Sequence, residues 1–333
     1  MLVRSSFCGL ETVRKRGIQC TVWLWLSILI TLLAAAALTL WINPEKILLL
    51  LTQSNKMGLM LCFIGFVLIN LLKTARLQHA TLFSTKPAMK ELFGVVCVYN
   101  LLTTVIPAGL GELSYPALLK ARHKASLVSG FSAVFVTRLL DVVIVIVCGL
   151  LALAITPPLS ALNSLRWLMV VSALGAIVGT VILLKLIVSN VAGRSLTHLQ
   201  SIPILQQVGG AGKRLRMAIA SSVTPEKIAP VLLFTLGIWL GTYVICWGVA
   251  QSLHMPLEGR QVVVGLSCVL ILSALPFKGF LGLGTHHAGW VIGLTLLGWS
   301  PQAALDIATL LHIIILGYTI LLGGIGWGML TVL

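Results

Sequence analysis

Two glycine-rich stretches, each following an apolar run, carry the residues of this chain that could do chemistry. The first runs from Pro107 to Glu112 (PAGLGE), and the second, a weaker copy, runs from Pro276 to His287. Their Gly-Leu-Gly cores align, with Gly109 and Gly111 in the first and Gly282 and Gly284 in the second. A glycine turn lets backbone amides approach a ligand closely. Glu112 could accept hydrogen bonds from those amides, a structural role, or bind a proton or a cationic headgroup.

Arg138 and Asp141 form a second candidate constellation. They are three residues apart, so on a helix they share a face. They fall near the middle of the apolar run over 126–154. A lone charge at the bilayer centre costs at least about 2.5–3.5 kcal/mol, so the two must pair or face a polar cavity. Two roles remain open: the two residues form an ion pair that holds the helix bundle together, or Arg138 binds a substrate phosphate. The two roles are compatible.

The second glycine-rich stretch adds basic groups. Lys278 is a candidate anion contact, and the alternative is that it extends toward the membrane interface. His286 and His287 are adjacent, so on a helix they diverge by about 100° and are not expected to share a metal ion. His287 is instead expected in a polar, substrate-facing pocket. His312 is expected to be satisfied within the helix bundle, and no metal or cofactor is predicted.

The composition places these motifs in a membrane. Hydrophobic residues make up 58% of the 333 residues and charged residues only 9%, which is too few for a solvated surface. The apolar runs are long and continuous, so they predict helices rather than a barrel. The formal charge is +15, and the basic residues are concentrated in short connections between the apolar runs. This pattern is typical of topology signals and of contact with anionic lipids, so nucleic acid is not an expected partner. The seven cysteines are scattered without a CxxC pair, so neither disulfides nor zinc is predicted.

Six full crossings are expected in this all-α, polytopic integral membrane protein. They cover residues 20–42, 47–72, 126–154, 167–188, 228–253 and 302 to the C-terminus. Basic residues at 14–16 precede the first crossing, which predicts an uncleaved helix with a cytoplasmic N-terminus. The basic residues between 73 and 90 are assigned to a cytoplasmic connection for the same reason.

Two further segments are too short to cross. Leu92 to Ile106 would extend about 22 Å as a helix, against about 30 Å of hydrocarbon. We therefore expect re-entrant hairpins over 91–119 and 262–297, which enter from opposite sides. The whole chain, 1–333, then forms one transmembrane domain: a first half over 20–189, a cytoplasmic connection over 190–227 and a second half over 228–333. Inverted repeats with broken helices are typical of secondary transporters.

The motifs resemble those of a known family. Pro107, Gly111 and Glu112, followed by Arg138-Leu-Leu-Asp141, are similar to signatures of the flippase-like membrane family related to the transmembrane region of lysylphosphatidylglycerol synthase. The stretch from Pro276 to Gly284 is similar to that family's second motif. The resemblance implies a module that translocates phospholipids or polyprenyl-linked lipids in the bacterial inner membrane. His286-His287 stands where relatives tend to carry a carboxylate, and no segment resembles the soluble aminoacyl-transferase domain of the full synthases.

Lipid translocation is therefore the predicted function, with the headgroup in a polar groove between the hairpins. The predicted partner is an anionic phospholipid or a polyprenyl-phosphate lipid; contacts with envelope-biosynthesis enzymes and a homo-oligomer are left open. No nucleophile elbow, HExxH motif or P-loop is present. Two alternatives remain: a membrane transferase that uses a lipid-linked donor with Glu112 as acid or base, and a non-transporting scaffold of a cell-envelope complex.

Overall fold

The computed structural model describes residues 28–29, 31–33, 36, 44–83, 86–107, 109–156, 166–188, 214–274 and 279–332. Within these residues the secondary structure is helical and contains no strand, which confirms the all-α, polytopic class. The principal helices are α1 (Pro44–Thr52), α2 (Lys56–Ala80), α3 (Met89–Val105), α4 (Ser114–His123), α5 (Leu127–Ile155), α6 (Arg166–Val188), α7 (Pro225–Ser252), α8 (Gly259–Ser273), α9 (Thr285–Thr295) and α10 (Pro301–Val332).

Four of the described helices are long and apolar enough to cross a membrane. They are Lys56–Ala80, Leu127–Ile155, Glu226–Ser252 and Pro301–Val332. In α6 the apolar stretch is the shorter Trp167–Leu183. The first expected crossing, over 20–42, lies largely outside the described residues. The chain is thus a multi-pass membrane protein. The last helix begins at Pro301, one residue before the expected start at 302, at a position where proline needs no amide partner.

The crossing expected over 47–72 has the wrong bounds. The chain breaks after Thr52, and Asn55 caps a new helix by accepting a hydrogen bond from the amide of Gly58 at 3.0 Å. This helix, α2, continues to Ala80. Arg76, which the charge pattern assigned to a cytoplasmic loop, is therefore helical and buried.

Glycines allow the long helices to approach closely. Helices α2 and α7 run antiparallel: a Cβ added to Gly65 would lie 3.1 Å from Ile245, and one added to Gly241 would lie 3.3 Å from Ile69. In the same way a Cβ on Gly326 of α10 would lie 2.5 Å from Cys97 of α3. Small residues at such contacts give the van der Waals packing that holds membrane helices together.

Both short segments fold as helical hairpins. In the first, α3 and α4 flank a turn that includes the 3-10 helix Leu110–Leu113. In the second, α8 and α9 flank the 3-10 helix Phe280–Gly282, and they pack so closely that a Cβ on Gly293 would lie 2.6 Å from the Cα of Gly265. Insertion of the hairpins into the bilayer and their relation as inverted repeats stay predictions.

The tips of the two hairpins lie next to each other. Pro107 of the first and Phe280 of the second line one apolar cavity of about 180 Å³, together with Ile28, Thr31 and Leu32. The amide of Phe280 donates a hydrogen bond to the Thr31 hydroxyl at 2.8 Å. The fold therefore brings the two glycine-rich stretches, about 170 residues apart, to one region of the bundle.

Candidate functional site

The first glycine turn positions Glu112. Gly109 has a φ of 70°, in the left-handed region that glycine tolerates, and its carbonyl accepts the Glu112 amide at 3.2 Å. Gly111 is buried, and a Cβ there would lie 2.5 Å from the Leu102 carbonyl oxygen. Gly111 thus allows the turn to pack directly against the end of α3. A Cβ on Gly109 would meet nothing within 4 Å, so the backbone of Gly109 is open to the approach of a ligand.

Glu112 pairs with side chains rather than with the amides of its own turn. Its carboxylate accepts a short hydrogen bond from the Tyr99 hydroxyl and forms an ion pair with Arg138, with Nη2 and Oε1 2.5 Å apart. The Arg138 Nη2 also donates to the Tyr99 hydroxyl at 3.3 Å. Among the described residues, no backbone amide of the turn donates to this carboxylate, so the structural alternative of amides that hold Glu112 gains no support from them.

Asp141 has a different principal partner from the one its spacing suggests. Arg76 Nη1 and Nη2 donate to its two carboxylate oxygens at 2.5 and 3.3 Å, and Trp239 Nε1 donates at 2.8 Å. Arg138 Nη1 is 4.0 Å from Asp141 Oδ2. Arg138 and Asp141 therefore share a face as expected, but each is bound mainly to a residue from another helix.

The two ion pairs differ in burial. The side chains of Arg76 and Asp141 are each 7% exposed, and their bidentate contact in the bundle interior is suited to holding α2 and α5 together. The side chains of Arg138 and Glu112 are 47% and 33% exposed. A charged pair that is this exposed can exchange partners. The pair of Arg138 and Glu112 is therefore the one suited to ligand binding.

A third cation lies in the same cluster. Lys73 is one helical turn from Arg76 and within electrostatic range of Arg138 and Asp141. It is partly buried, and among the described residues its ammonium group makes no hydrogen bond or ion pair. Together with the two arginines it makes three cations against the carboxylates of Glu112 and Asp141, which leaves a net charge of +1. This cluster can attract an anion.

The exposed face of Arg138 adjoins apolar surface. Phe131 and Phe135 precede it by seven and three residues on α5, and they are 39% and 45% exposed. Leu110 and Leu113 on the glycine turn are also exposed. The cluster also lies deep in the span, because Asp141 is the fifteenth of the 29 residues of α5. The open ion pair is therefore flanked by exposed apolar side chains.

The sequence-based interpretation missed Lys73, Arg76, Tyr99 and Trp239. The two cations were assigned to a loop because basic residues normally mark cytoplasmic connections. Their spacing of three residues directly after an apolar run was the available signal, since it matches the spacing of Arg138 and Asp141. Tyr99 and Trp239 gave no local signal, because the residues around them in the sequence do not indicate a charged partner.

The second glycine turn brings histidines together. Gly282 and Gly284 have φ values of 76° and 85°, and α9 starts directly after them, with His286 and His287 in its first turn. His312 comes from α10: its ring stacks on that of His286 with centroids 4.2 Å apart, and its centroid is 5.1 Å from that of His287. One ring nitrogen from each of the three histidines lies within 4.8 Å of the other two, so the two adjacent side chains do not point as far apart as the helical spacing alone suggests. Lys278 lies outside the described residues.

A protein-family model matches most of the chain. The family model described as the lysylphosphatidylglycerol synthase TM region matches residues 24–324. No curated protein and no solved structure matches the chain. The matched region includes both hairpins and every residue of the charged cluster.

Proposed function

We propose that this chain, which belongs to the family of the lysylphosphatidylglycerol synthase TM region, translocates a phosphate-bearing lipid across the membrane. The family supports a membrane function related to lipids. The finer proposal is that the headgroup of a phospholipid or polyprenyl-phosphate lipid crosses at the charged cluster while its chains stay in the bilayer. We place the protein in the bacterial inner membrane, with a cytoplasmic N-terminus.

The observation that carries the proposal is the half-exposed ion pair between Arg138 and Glu112, beside Lys73, whose ammonium group has no partner among the described residues. An arginine exposed to hydrocarbon in the middle of a span is costly, whereas one that faces headgroups or water is not. The guanidinium group of Arg138 matches the geometry of a phosphate and can bind it through two parallel hydrogen bonds. The net charge of +1 favours an anion over a neutral headgroup.

The arrangement supports a partner exchange. An arriving phosphate takes the place of the Glu112 carboxylate on Arg138, so that the guanidinium group is not left without an anionic partner. Glu112 keeps its hydrogen bond from Tyr99 during the exchange. Arg76 and Asp141 stay paired beneath, because both are buried and their contact is bidentate. Phe131 and Phe135 then lie where the acyl chains pass.

Lipid exchange in proteoliposomes tests the proposal. Wild type, Glu112→Gln and Arg138→Gln are reconstituted with a fluorescent anionic phospholipid or a polyprenyl-phosphate analogue, and exchange between leaflets is followed by dithionite quenching or an equivalent surface assay. Arg260→Gln is the matched control, because Arg260 also pairs with a glutamate but lies at the start of α8, outside the cluster. We expect exchange by wild type and the control, and a loss of about tenfold or more in the two cluster variants, as removing one charged hydrogen bond implies.

Two results would contradict the proposal. One is the absence of exchange of either lipid by folded wild type, with or without a proton gradient. The other is exchange that both cluster variants retain at the wild-type rate. A covalently altered lipid recovered from the vesicles would instead support the transferase alternative, and activity of a partner enzyme that tolerates both substitutions would support a scaffold.

A further inference from the structure

We infer that His286, His287 and His312 form a binding site for a divalent transition-metal ion of the zinc class. The three rings come from two elements, the first turn of α9 and the interior of α10. Neutral imidazoles are the nitrogen ligands that zinc, nickel and copper prefer. The site is separate from the charged cluster that carries the proposed function, and it adds a role for the second hairpin.

The spacing of the rings fits one shared ion. Ligating nitrogens of the three side chains lie within 4.8 Å of one another. A tetrahedral zinc ion with Zn–N bonds of about 2.0–2.1 Å holds its nitrogens roughly 3.3 Å apart, so the rings need to close by about 1.5 Å at most. Rotation about side-chain torsions is the movement required, and His286 is only partly buried.

One ring is already oriented by the protein. His312 Nε2 donates a hydrogen bond to the carbonyl oxygen of Leu281 at 3.0 Å, because a carbonyl can only accept. The neutral ring then carries its lone pair on Nδ1. A backbone carbonyl that binds the second nitrogen of a ligating histidine is the usual outer-shell arrangement of metal sites. Leu281 has a φ of 55°, unusual for a leucine, so the turn holds this carbonyl in a backbone conformation that few side chains favour.

A second ring carries a buried nitrogen that the described residues leave unsatisfied. His287 is 6% exposed, and its Nδ1 has no hydrogen-bond partner among them. Buried polar groups of this kind are uncommon in native proteins and ask for an explanation, of which a bound ion is one. The ring of His287 contacts the rings of His286 and His312, so an ion shared by the three would satisfy its Nδ1.

The arrangement also indicates what the ion would do. Three protein ligands leave a fourth position for a water or another oxygen ligand. The ion would connect α9 of the second hairpin to α10, which in turn packs along α3 of the first hairpin. It would therefore stabilise the packing of the second hairpin against α10.

Metal titration of the purified full chain tests the inference. After chelator treatment in detergent, the protein is titrated with Zn²⁺ by calorimetry and with Co²⁺ by visible absorption, whose intense bands report four-coordinate nitrogen and oxygen ligands. We expect one ion per chain and a higher thermal midpoint with metal. His287→Gln and His312→Gln are expected to weaken binding at least as much as the roughly 10–100-fold that loss of an outer-shell partner costs, and to abolish the Co²⁺ bands.

His254→Asn is the matched control. His254 lies outside the histidine cluster and has a φ of 55°, which asparagine tolerates. This variant should bind one ion like wild type. The inference is overturned if wild type binds no stoichiometric ion, or if the cluster variants bind with the affinity and Co²⁺ spectrum of wild type. Because the Co²⁺ spectrum reports ligation directly, its loss in a variant that keeps its helical circular dichroism is not a folding effect. Metal binding without lipid exchange would leave this inference intact and contradict only the proposed function.

Discussion

Replacement of Asp141 by asparagine should destabilise the protein strongly, because it leaves Arg76 buried without its counter-ion. Asp141 accepts three hydrogen bonds, two from Arg76 at 2.5 and 3.3 Å and one from Trp239 at 2.8 Å. Asparagine keeps one acceptor oxygen but no charge. Breaking a buried pair by removing one partner costs about 3–5 kcal/mol, and both of these side chains are only 7% exposed. By the scaling of soluble domains, the thermal midpoint should fall by on the order of 10 °C.

Thermal unfolding in a single detergent, followed by far-ultraviolet circular dichroism, measures this effect without relying on the fluorescence of Trp239. Arg260→Gln is the control, since its pair with Glu258 is partly exposed and such pairs contribute about 0–1 kcal/mol. The double variant Arg76→Met/Asp141→Leu should be more stable than Asp141→Asn, because it removes both charges together. Recovery should be incomplete, since Trp239 loses its acceptor. The reasoning is refuted if Asp141→Asn unfolds with the control, or if the effects at the two positions simply add.

Two further predictions concern the lipid site and its turn. Lys73→Met lowers the cluster charge from +1 to zero, so exchange of an anionic lipid should slow by about tenfold while a zwitterionic lipid is affected less; equal slowing of both lipids in the proteoliposome assay would contradict an anion-binding role. Gly111→Ala places a Cβ 2.5 Å from the Leu102 carbonyl oxygen and should cost about 1–3 kcal/mol in thermal unfolding. Gly109→Asn should be tolerated, because its site is open and asparagine accepts a φ of 70°. Equal thermal stability of Gly111→Ala and Gly109→Asn would argue against close packing of the turn on the end of α3.

Much of the fold follows from local pattern. Continuous apolar runs predict membrane helices because an unpaired backbone cannot exist in hydrocarbon, and the last helix begins within one residue of its predicted start at 302. The glycine turns were recognised because each interrupts an apolar run that is too short to cross. The bounds of α2 were not predicted, because basic residues that follow an apolar run indicate a loop. The helix continues through them only where a carboxylate distant in the chain neutralises their charge.

The candidate site was predictable in part. Glu112, Arg138 and Asp141 stand out because ionisable residues within apolar runs are costly and therefore uncommon. Their partners did not stand out. Arg76 is 65 residues from Asp141 in the chain, and Trp239 is 98 residues away from it. No local spacing rule connects them, because their contacts depend on how α2, α5 and α7 pack.

The sequence by itself determined the class of protein, the two hairpins with glycine turns and the need of Glu112, Arg138 and Asp141 for partners, because each of these depends on interactions within a few turns of one helix or on the cost of burying a charge. Only the tertiary structure decided which partners they find. Helix packing paired Arg138 with Glu112 and Asp141 with Arg76, and it left Lys73 without a counter-ion among the described residues. It also brought His312 from α10 against His286 and His287. These contacts depend on the distance between helices that are far apart in the chain, which no spacing along one helix can express.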